Sequence, residues 1–216
     1  MVSDPTLHVE AGLFLEGASV IIGIDEVGRG AMAGPVMVGV CAITSSITDF
    51  PTGLRDSKML SALKREKLAP VLVVWAPTAV GAASAAEIDA LGITACLGLA
   101  AKRALIALHE AGVPVGESTV LLDGAHDWLN PALTSKLRVI TRVKADQDCA
   151  VVAAASVVAK VERDALMVQL DAEHPHYGWA SNKGYGAAIH MDAIRTIGVT
   201  SYHRQTWVKT PAGRTE

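Results

Sequence analysis

The chain has no surplus of positive charge. Its 19 Lys and Arg residues are outnumbered by 22 Asp and Glu, giving a formal net charge of −3. This balance counts against a nucleic-acid partner held by general positive charge, and any such partner has to be held by a local patch or through bound cations. Cysteine is limited to Cys41, Cys96 and Cys149, each in an apolar neighbourhood. Three cannot all pair within one chain and none forms a Cys-x-x-Cys, so the expectation is buried thiols in a reducing cytoplasm. Gly-x-Ser-x-Gly and Walker sequences are absent, which removes those two routes to hydrolase and nucleotide-binding chemistry. One uncharged stretch, 69–86, has the length of a membrane span. It is interrupted by Pro70, Pro77 and Gly81 and carries Thr78 and Ser84, so it divides better into a helix end and a strand. The first residues hold Asp4, Glu10 and Glu16 with no basic flank, the wrong pattern for a secretory signal. No membrane association is expected, and the expected location is cytoplasmic.

What is present is a chain that is 50% apolar and 19% charged over 216 residues, enough for a full core in one domain with an appendage. It is organised around Gly23-Ile24-Asp25-Glu26-Val27-Gly28-Arg29-Gly30. The β-branched run 19–22 reads as a buried strand that ends in two adjacent carboxylates. A Gly-Arg-Gly turn follows, then Gly34-Pro35 and a second apolar run, 36–43, which reads as a hairpin partner. Such a strand end can hold a divalent cation beside a phosphate. The alternative is a solvated turn that happens to contain Asp and Glu. A dinucleotide fingerprint fits poorly, because Pro35 and β-branched residues stand where a helix would have to begin.

Residues 1–17 read as a short frayed lead, and 44–54 as a polar turn. Ser61 is an N-cap for a helix to about residue 71. Ser84-x-x-Glu87 is a capping box that opens a long helix to about residue 111, stopped by Gly112 and Pro114. Residues 119–122 form a second buried strand ending in Asp123, and 137–143 a third, alternating strand followed by Lys144-Ala145-Asp146. A helix with a small-residue face then spans 149–170. Strands alternating with helices give an α/β reading with part of the sheet parallel. The segment 174–209 holds five of the nine aromatics, Tyr177, Trp179, Tyr185, Tyr202 and Trp207, among Lys183, Arg195, Arg204 and Lys209. It reads either as a nucleic-acid face or as a small lid whose aromatics pack on the core.

Asp25, Glu26, Asp123 and Asp146 can converge on one sheet edge if their strands are neighbours. Four carboxylates together repel one another unless cations neutralise them. Mg²⁺ or Mn²⁺ suits such oxygens, and two ions about 4 Å apart stabilise attacking and leaving oxygens at phosphorus. Asp148 is a decoy two residues from Asp146. Asp49, Asp89 and Asp127 read as solvated, and His174-Pro175-His176 as loop rather than a zinc pair.

These motifs resemble those of bacterial ribonuclease HII, the type 2 ribonucleases H. The likeness runs in order from about Val20 to Trp207: the first signature with Ala33-Gly34-Pro35-Val36, then Asp56-Ser57-Lys58, Leu122-Asp123-Gly124 and Val143-Lys144-Ala145-Asp146. It continues through 153–164, which ends in Arg163-Asp164, to Tyr177-Gly178, Lys183-Gly184-Tyr185-Gly186 and His203-Arg204-x-x-Trp207. Ala145 stands where Gly is usual and Trp207 where Phe is usual. The resemblance implies a ribonuclease H-like mixed β-sheet flanked by helices, with a C-terminal helical extension. It implies a domain over 18–209, with a catalytic core of about 18–172, a substrate-binding extension of about 173–209, and tails at 1–17 and 210–216. Asp25, Glu26, Asp123 and Asp146 would be the catalytic residues and the ligands of two Mg²⁺ or Mn²⁺ ions. Gly28, Arg29, Gly30 and Tyr185 would recognise a ribose 2′-OH, the one group that marks RNA at a given position. Lys58, Lys160 and Lys183 would contact phosphates. The substrates implied are RNA–DNA hybrids and duplex DNA containing single ribonucleotides, cut 5′ to the ribonucleotide to leave 5′-phosphate and 3′-OH ends. About twenty residues precede the first strand, which favours HII over HIII with its N-terminal substrate-binding domain. A monomer is expected, and a sliding-clamp partner is not readable. A non-catalytic hybrid-binding module would have no need of four acids. An integrase or resolvase type of enzyme would leave Gly28-Arg29-Gly30 and Tyr185 without a purpose.

Overall fold

Strand β1 (Val20–Val27) is buried from Val20 through Asp25, and it lies at the centre of the molecule. Its alternation sends Val20, Ile22 and Ile24 into one apolar layer and Ile21 into the other. In the computed structural model, which describes residues 4–208, five strands form one mixed sheet in the order β3-β2-β1-β4-β5. β2 (Val36–Thr44) runs antiparallel to β1 with Val20 opposite Thr44 and Val27 opposite Met37. β3 (Thr78–Ala83) pairs antiparallel with β2. β4 (Ser118–Asp123) is parallel to β1, Val20 matching Ser118, and β5 (Arg138–Arg142) is parallel to β4. The parallel pairing brings the ends of β1 and β4, and so their acids, to the same edge.

Eight α-helices flank the sheet among the described residues: α1 (His8–Leu15), α2 (Ala62–Trp75), α3 (Ala85–Leu91), α4 (Ile93–Glu110), α5 (Ala145–Asp148), α6 (Ala150–Glu173), α7 (Trp179–Asn182) and α8 (Ala188–Ile197). α4 covers one face and α6 the other. α6 lies unusually close. A Cβ at Gly23 would fall 2.5 Å from the Val151 carbonyl carbon, and one at Gly39 would fall 2.2 Å from the Ala155 oxygen. Glycines on the strands and the alanine face of α6 together permit this backbone-to-backbone approach.

Several sequence expectations hold. Ser61 caps α2 by accepting from the Lys64 N–H, the capping box of Ser84 and Glu87 is formed, and Gly198 at φ 85° ends α8. The stretch 69–86 does divide into the end of α2 and β3. No helix among the described residues is long and apolar enough to cross a membrane.

Others are corrected. From residue 4 onward the lead is not frayed. α1 buries Glu10 and Leu13, Thr6 bridges to Cys149, and Glu10 Oε1 accepts from the Val151 N–H at 3.0 Å. Residues 1–3 and 210–216 of the expected tails, and Lys209 at the end of the expected extension, lie outside the described residues. The helix expected over 84–111 is two, broken at Gly92 with φ 80°, where one helix ends and the next begins. α2 runs past its expected end through the exposed Pro70 to Trp75. Asp89 is not merely solvated, because it accepts the Gln205 and Thr206 N–H groups at 2.8 and 3.0 Å.

In the C-terminal segment the lid alternative holds for most of the aromatics. Tyr177 and Trp179 are buried and stacked at 5.0 Å in a third apolar cluster with Ala33, Met167 and Ile194. Tyr202 and Trp207 are half-buried, and only Tyr185 is exposed. Arg204 is buried as well.

Candidate active site

Asp25 sits near the end of β1 with 4% exposure, and its Oδ1 accepts the Glu26 N–H at 2.8 Å. Asp123 ends the parallel neighbour β4, and its Oδ1 accepts the Ala145 N–H at 2.7 Å. One carboxylate oxygen each from Asp25, Glu26 and Asp123 lies within 4.8 Å of the others. Burial raises the Asp25 pKa well above the ordinary carboxylate range, and the charges of Glu26 and Asp123 raise it further. The Ser156 hydroxyl and Lys58 act against this rise. Asp123 is also raised, chiefly by burial, with the Ala145 N–H opposing. Asp25 and Asp123, both driven toward protonation by burial and by neighbouring carboxylate charge, share with Glu26 a site that a hard cation would relieve. All the donors are carboxylate oxygens, the chemistry that Mg²⁺ and Mn²⁺ prefer.

Asp146 does not end a strand, as its position after β5 had suggested. Lys144 takes a left-handed conformation, φ 60°, and turns the chain into α5, which carries Asp146. This turn brings Ala145 onto Asp123 and buries Asp146 to 2% exposure. Its carboxylate stands apart from the group of three and accepts from Lys58 Nζ at 3.1 Å. Burial raises the Asp146 pKa against that lysine. For Lys58, burial pulls the pKa down, but Asp146 and Asp25 outweigh it and the result is raised. Asp148, the decoy, turns away to pair with Arg142 at 2.6 Å.

Several supporting residues went unread as parts of the site. Asp56 is buried and accepts the Lys58 N–H at 2.9 Å, which fixes the loop that carries Lys58. Ser57 and Ser156 share a hydroxyl contact of 2.7 Å beneath it. Asp56-Ser57-Lys58 and Ser156 were visible as motif positions, but nothing local marks them as neighbours of Asp25.

The remaining expected residues lie around this edge. Gly28 turns the chain at φ 80°, where a Cβ would fall 2.0 Å from Arg163 Nε. Gly30 is open, with nothing within 4 Å of a Cβ. Arg29 is exposed and its Nη1 lies 3.5 Å from Glu26 Oε1. The Met32 and Ala33 N–H groups donate to the Gly184 carbonyl at 2.8 and 3.1 Å, so the loop before Tyr185 is bonded to the chain that follows Gly28-Arg29-Gly30. Tyr185 is 39% exposed, with the Arg163 guanidinium 5.7 Å from its ring centre. Lys160 is mostly buried and paired with Asp164, which also meets Arg65 at 3.6 Å. Lys183 has φ 52°, and its ammonium bonds the Ala180 carbonyl. It shares with Arg65 and Asp164 a cleft of about 370 Å³.

The family model for ribonuclease HII matches residues 22–210. A ribonuclease HII of Streptomyces avermitilis is 49% identical over 205 residues, covering 94% of this chain and 83% of that protein. The solved ribonuclease H2 of Pyrococcus horikoshii OT3 is similar with a TM-score of 0.67 and 26% identity, over 87% of this chain and 93% of that one. Bst-RNase HIII in complex with Mn²⁺ is similar with a TM-score of 0.66 and 25% identity, over 84% of this chain and 64% of that one.

Proposed function

The chain belongs to the ribonuclease HII family of nuclease hydrolases, and from that premise we propose that it is a divalent-metal-dependent endoribonuclease. It cleaves the phosphodiester 5′ to a ribonucleotide, in RNA–DNA hybrids and at single ribonucleotides within duplex DNA, leaving 5′-phosphate and 3′-OH ends. Its role is ribonucleotide removal from DNA in the cytoplasm. What carries this is the cluster of buried Asp25 with half-buried Glu26 and Asp123, with oxygens within 4.8 Å, at one end of the strand that leads into Gly28-Arg29-Gly30. A binding module would gain nothing from acids that oppose one another.

Asp25, Glu26, Asp123 and Asp146 hold two Mg²⁺ or Mn²⁺ ions. When bound, these ions supply Lewis-acid stabilisation of the attacking and leaving oxygens at phosphorus. The chain's own part is to fix the acids before substrate arrives. The Ala145 N–H orients Asp123, and Lys58 steadies Asp146. Gly28, Arg29, Gly30 and Tyr185 meet the ribonucleotide, the glycines by letting the main chain come close and Tyr185 by its hydroxyl and its ring. Lys58 and Lys183 contact phosphates, and Lys160 does so on leaving Asp164. The domain is 18–209, with the segment from about 173 serving as the substrate-binding extension.

The test is cleavage of duplex DNA containing one ribonucleotide, against the same duplex in all-deoxy form, with Mg²⁺, Mn²⁺ or EDTA and the cut mapped to the nucleotide. The expected result is one cut 5′ to the ribonucleotide, none in EDTA and none in the all-deoxy duplex. Asp25→Asn, Asp123→Asn and Asp146→Asn should stay folded and lose most activity, while Asp148→Asn stays near wild type. Tyr185→Phe should cut more slowly, and Tyr185→Ala more slowly still through lost stacking of roughly 1–3 kcal/mol. Equal cleavage of both duplexes, or cleavage in EDTA, refutes the reading.

A further inference from the structure

Two guanidinium groups are fully buried beneath the Gly28–Gly30 turn. Arg163 and Arg204 both show 0% exposure. Every hydrogen bond they make goes to a backbone carbonyl. Arg163 donates to Pro35 and Ala33 at 2.9 and 3.1 Å and to Lys183 at 2.9 Å. Arg204 donates to Gly28 and Arg29 at 2.6 and 2.7 Å and to Gly34 at 3.2 Å. Burying a cation against neutral carbonyls is an expensive way to fill space, and an apolar side chain of the same volume would serve a core better. What a guanidinium does that an apolar group or a lysine cannot is hold several carbonyls at fixed angles with one planar fork.

The directions matter. In a trans peptide the C=O of one residue and the N–H of the next point to opposite sides, and the described chain has no cis peptide. With the Gly28 and Arg29 carbonyls both drawn inward to Arg204, the N–H groups of Arg29 and Gly30 are turned outward. Among the described residues neither donates to a backbone carbonyl, and both residues are exposed. The open side of Gly30 leaves room for an incoming oxygen. Arg163 meanwhile bonds the carbonyl of Lys183 and lies over the ring of Tyr185, so the same buried pair ties the second ribose-facing element to the first.

We infer that Arg204, backed by Arg163, is a positioning residue for ribose discrimination: it locks the Gly28–Gly30 turn so that two backbone donors face the substrate at a fixed spacing from Tyr185. Neither arginine touches substrate. This rests on the preceding reading that the turn and Tyr185 meet the ribonucleotide.

Arg204→Lys and Arg163→Lys test it, because lysine keeps the charge and satisfies fewer carbonyls. The measurement is the ratio of dissociation constants for the all-deoxy duplex and the same duplex with one ribonucleotide, in EDTA so that neither is cut, alongside thermal unfolding. In folded Arg204→Lys the ratio should fall by about tenfold or more, as sub-ångström misplacement of binding groups produces, with affinity for the all-deoxy duplex unchanged. A merely structural role would lower the melting temperature and move both affinities together, and that result overturns the inference. An unchanged ratio overturns it too. If the lysine variants do not fold, amide hydrogen exchange on the wild type decides. The Ala31 amide, which donates to the Gly28 carbonyl at 3.2 Å, should then be protected as strongly as those of β1, and exchange at exposed-loop rates refutes a locked turn. Should wild type show no preference for the ribonucleotide duplex, it is the preceding reading that fails.

Discussion

Glu10 offers a sharp test of how the first helix is held. Its carboxyl is fully buried under α1, one oxygen accepting from the Val151 N–H in the first turn of α6 and the other without a hydrogen-bond partner. Burial pushes its pKa up from 4.5 to about 7, against the pull of the Val151 N–H. The sign follows from which state keeps the proton. Below pH 4.5 both the folded and the unfolded chain are protonated there, and no penalty exists. As pH rises toward 7 the unfolded chain ionises first, so stability falls by about 1.4 kcal/mol per pH unit. Across the interval from 4.5 to about 7 the loss is about 3 kcal/mol. Glu10→Gln keeps an acceptor for Val151 and removes the titration. Thermal unfolding of wild type and variant should therefore diverge with pH: close to a constant offset at pH 4 to 4.5, and at pH 8 a variant favoured by about 3 kcal/mol more. For a domain of this size that corresponds to roughly 6–12 °C. A difference in melting temperature that does not change with pH would show that Glu10 does not titrate across the fold, and the account of its burial would be wrong.

Gly28→Ala should destabilise by roughly 1–3 kcal/mol, because it combines a positive φ with a clash on Arg163. Gly30→Ala meets no neighbour and should leave denaturant unfolding within about 0.5 kcal/mol of wild type, so a loss of cleavage there reports contact with substrate; normal cleavage by Gly30→Ala would remove the ribose from that position. Gly23→Ala drives a Cβ into the backbone of α6 at Val151 and should cost roughly 1–3 kcal/mol in chemical denaturation. His203 is buried beside His190, which together hold its pKa down to about 4. Its ring should stay neutral by NMR at pH 5.5, and it should weaken the fold as pH drops from 6.5 toward 4, the opposite sense to Glu10; a ring that titrates near 6.5 would contradict this.

Much of the molecule was legible in the chain alone, for reasons that are short-range. A β-branched run followed by Asp25 and Glu26 announces a buried strand with acids at its end, and the same grammar marks 119–123. Ser61 and the Ser84–Glu87 box mark helix starts because the capping bond closes within three residues. The ordered motifs were specific enough to indicate the family and, through it, the mixed sheet. Tertiary structure decided what depends on partners far along the chain. Asp146 reaches the site through a left-handed turn at Lys144, and its lysine lies 88 positions away. Glu10 is drawn into the core by a helix that begins 140 residues later, so the lead read as frayed is held in place. Tyr177 and Trp179 face inward because apolar burial outweighs the stacking surface they would offer outside, while Tyr185 stays exposed. Arg204 has the composition of a phosphate contact, yet its acceptors are carbonyls of residues 28, 29 and 34. A side chain carries its own chemistry, but whether that chemistry meets solvent, substrate or a buried carbonyl is set by long-range packing, which no local pattern encodes.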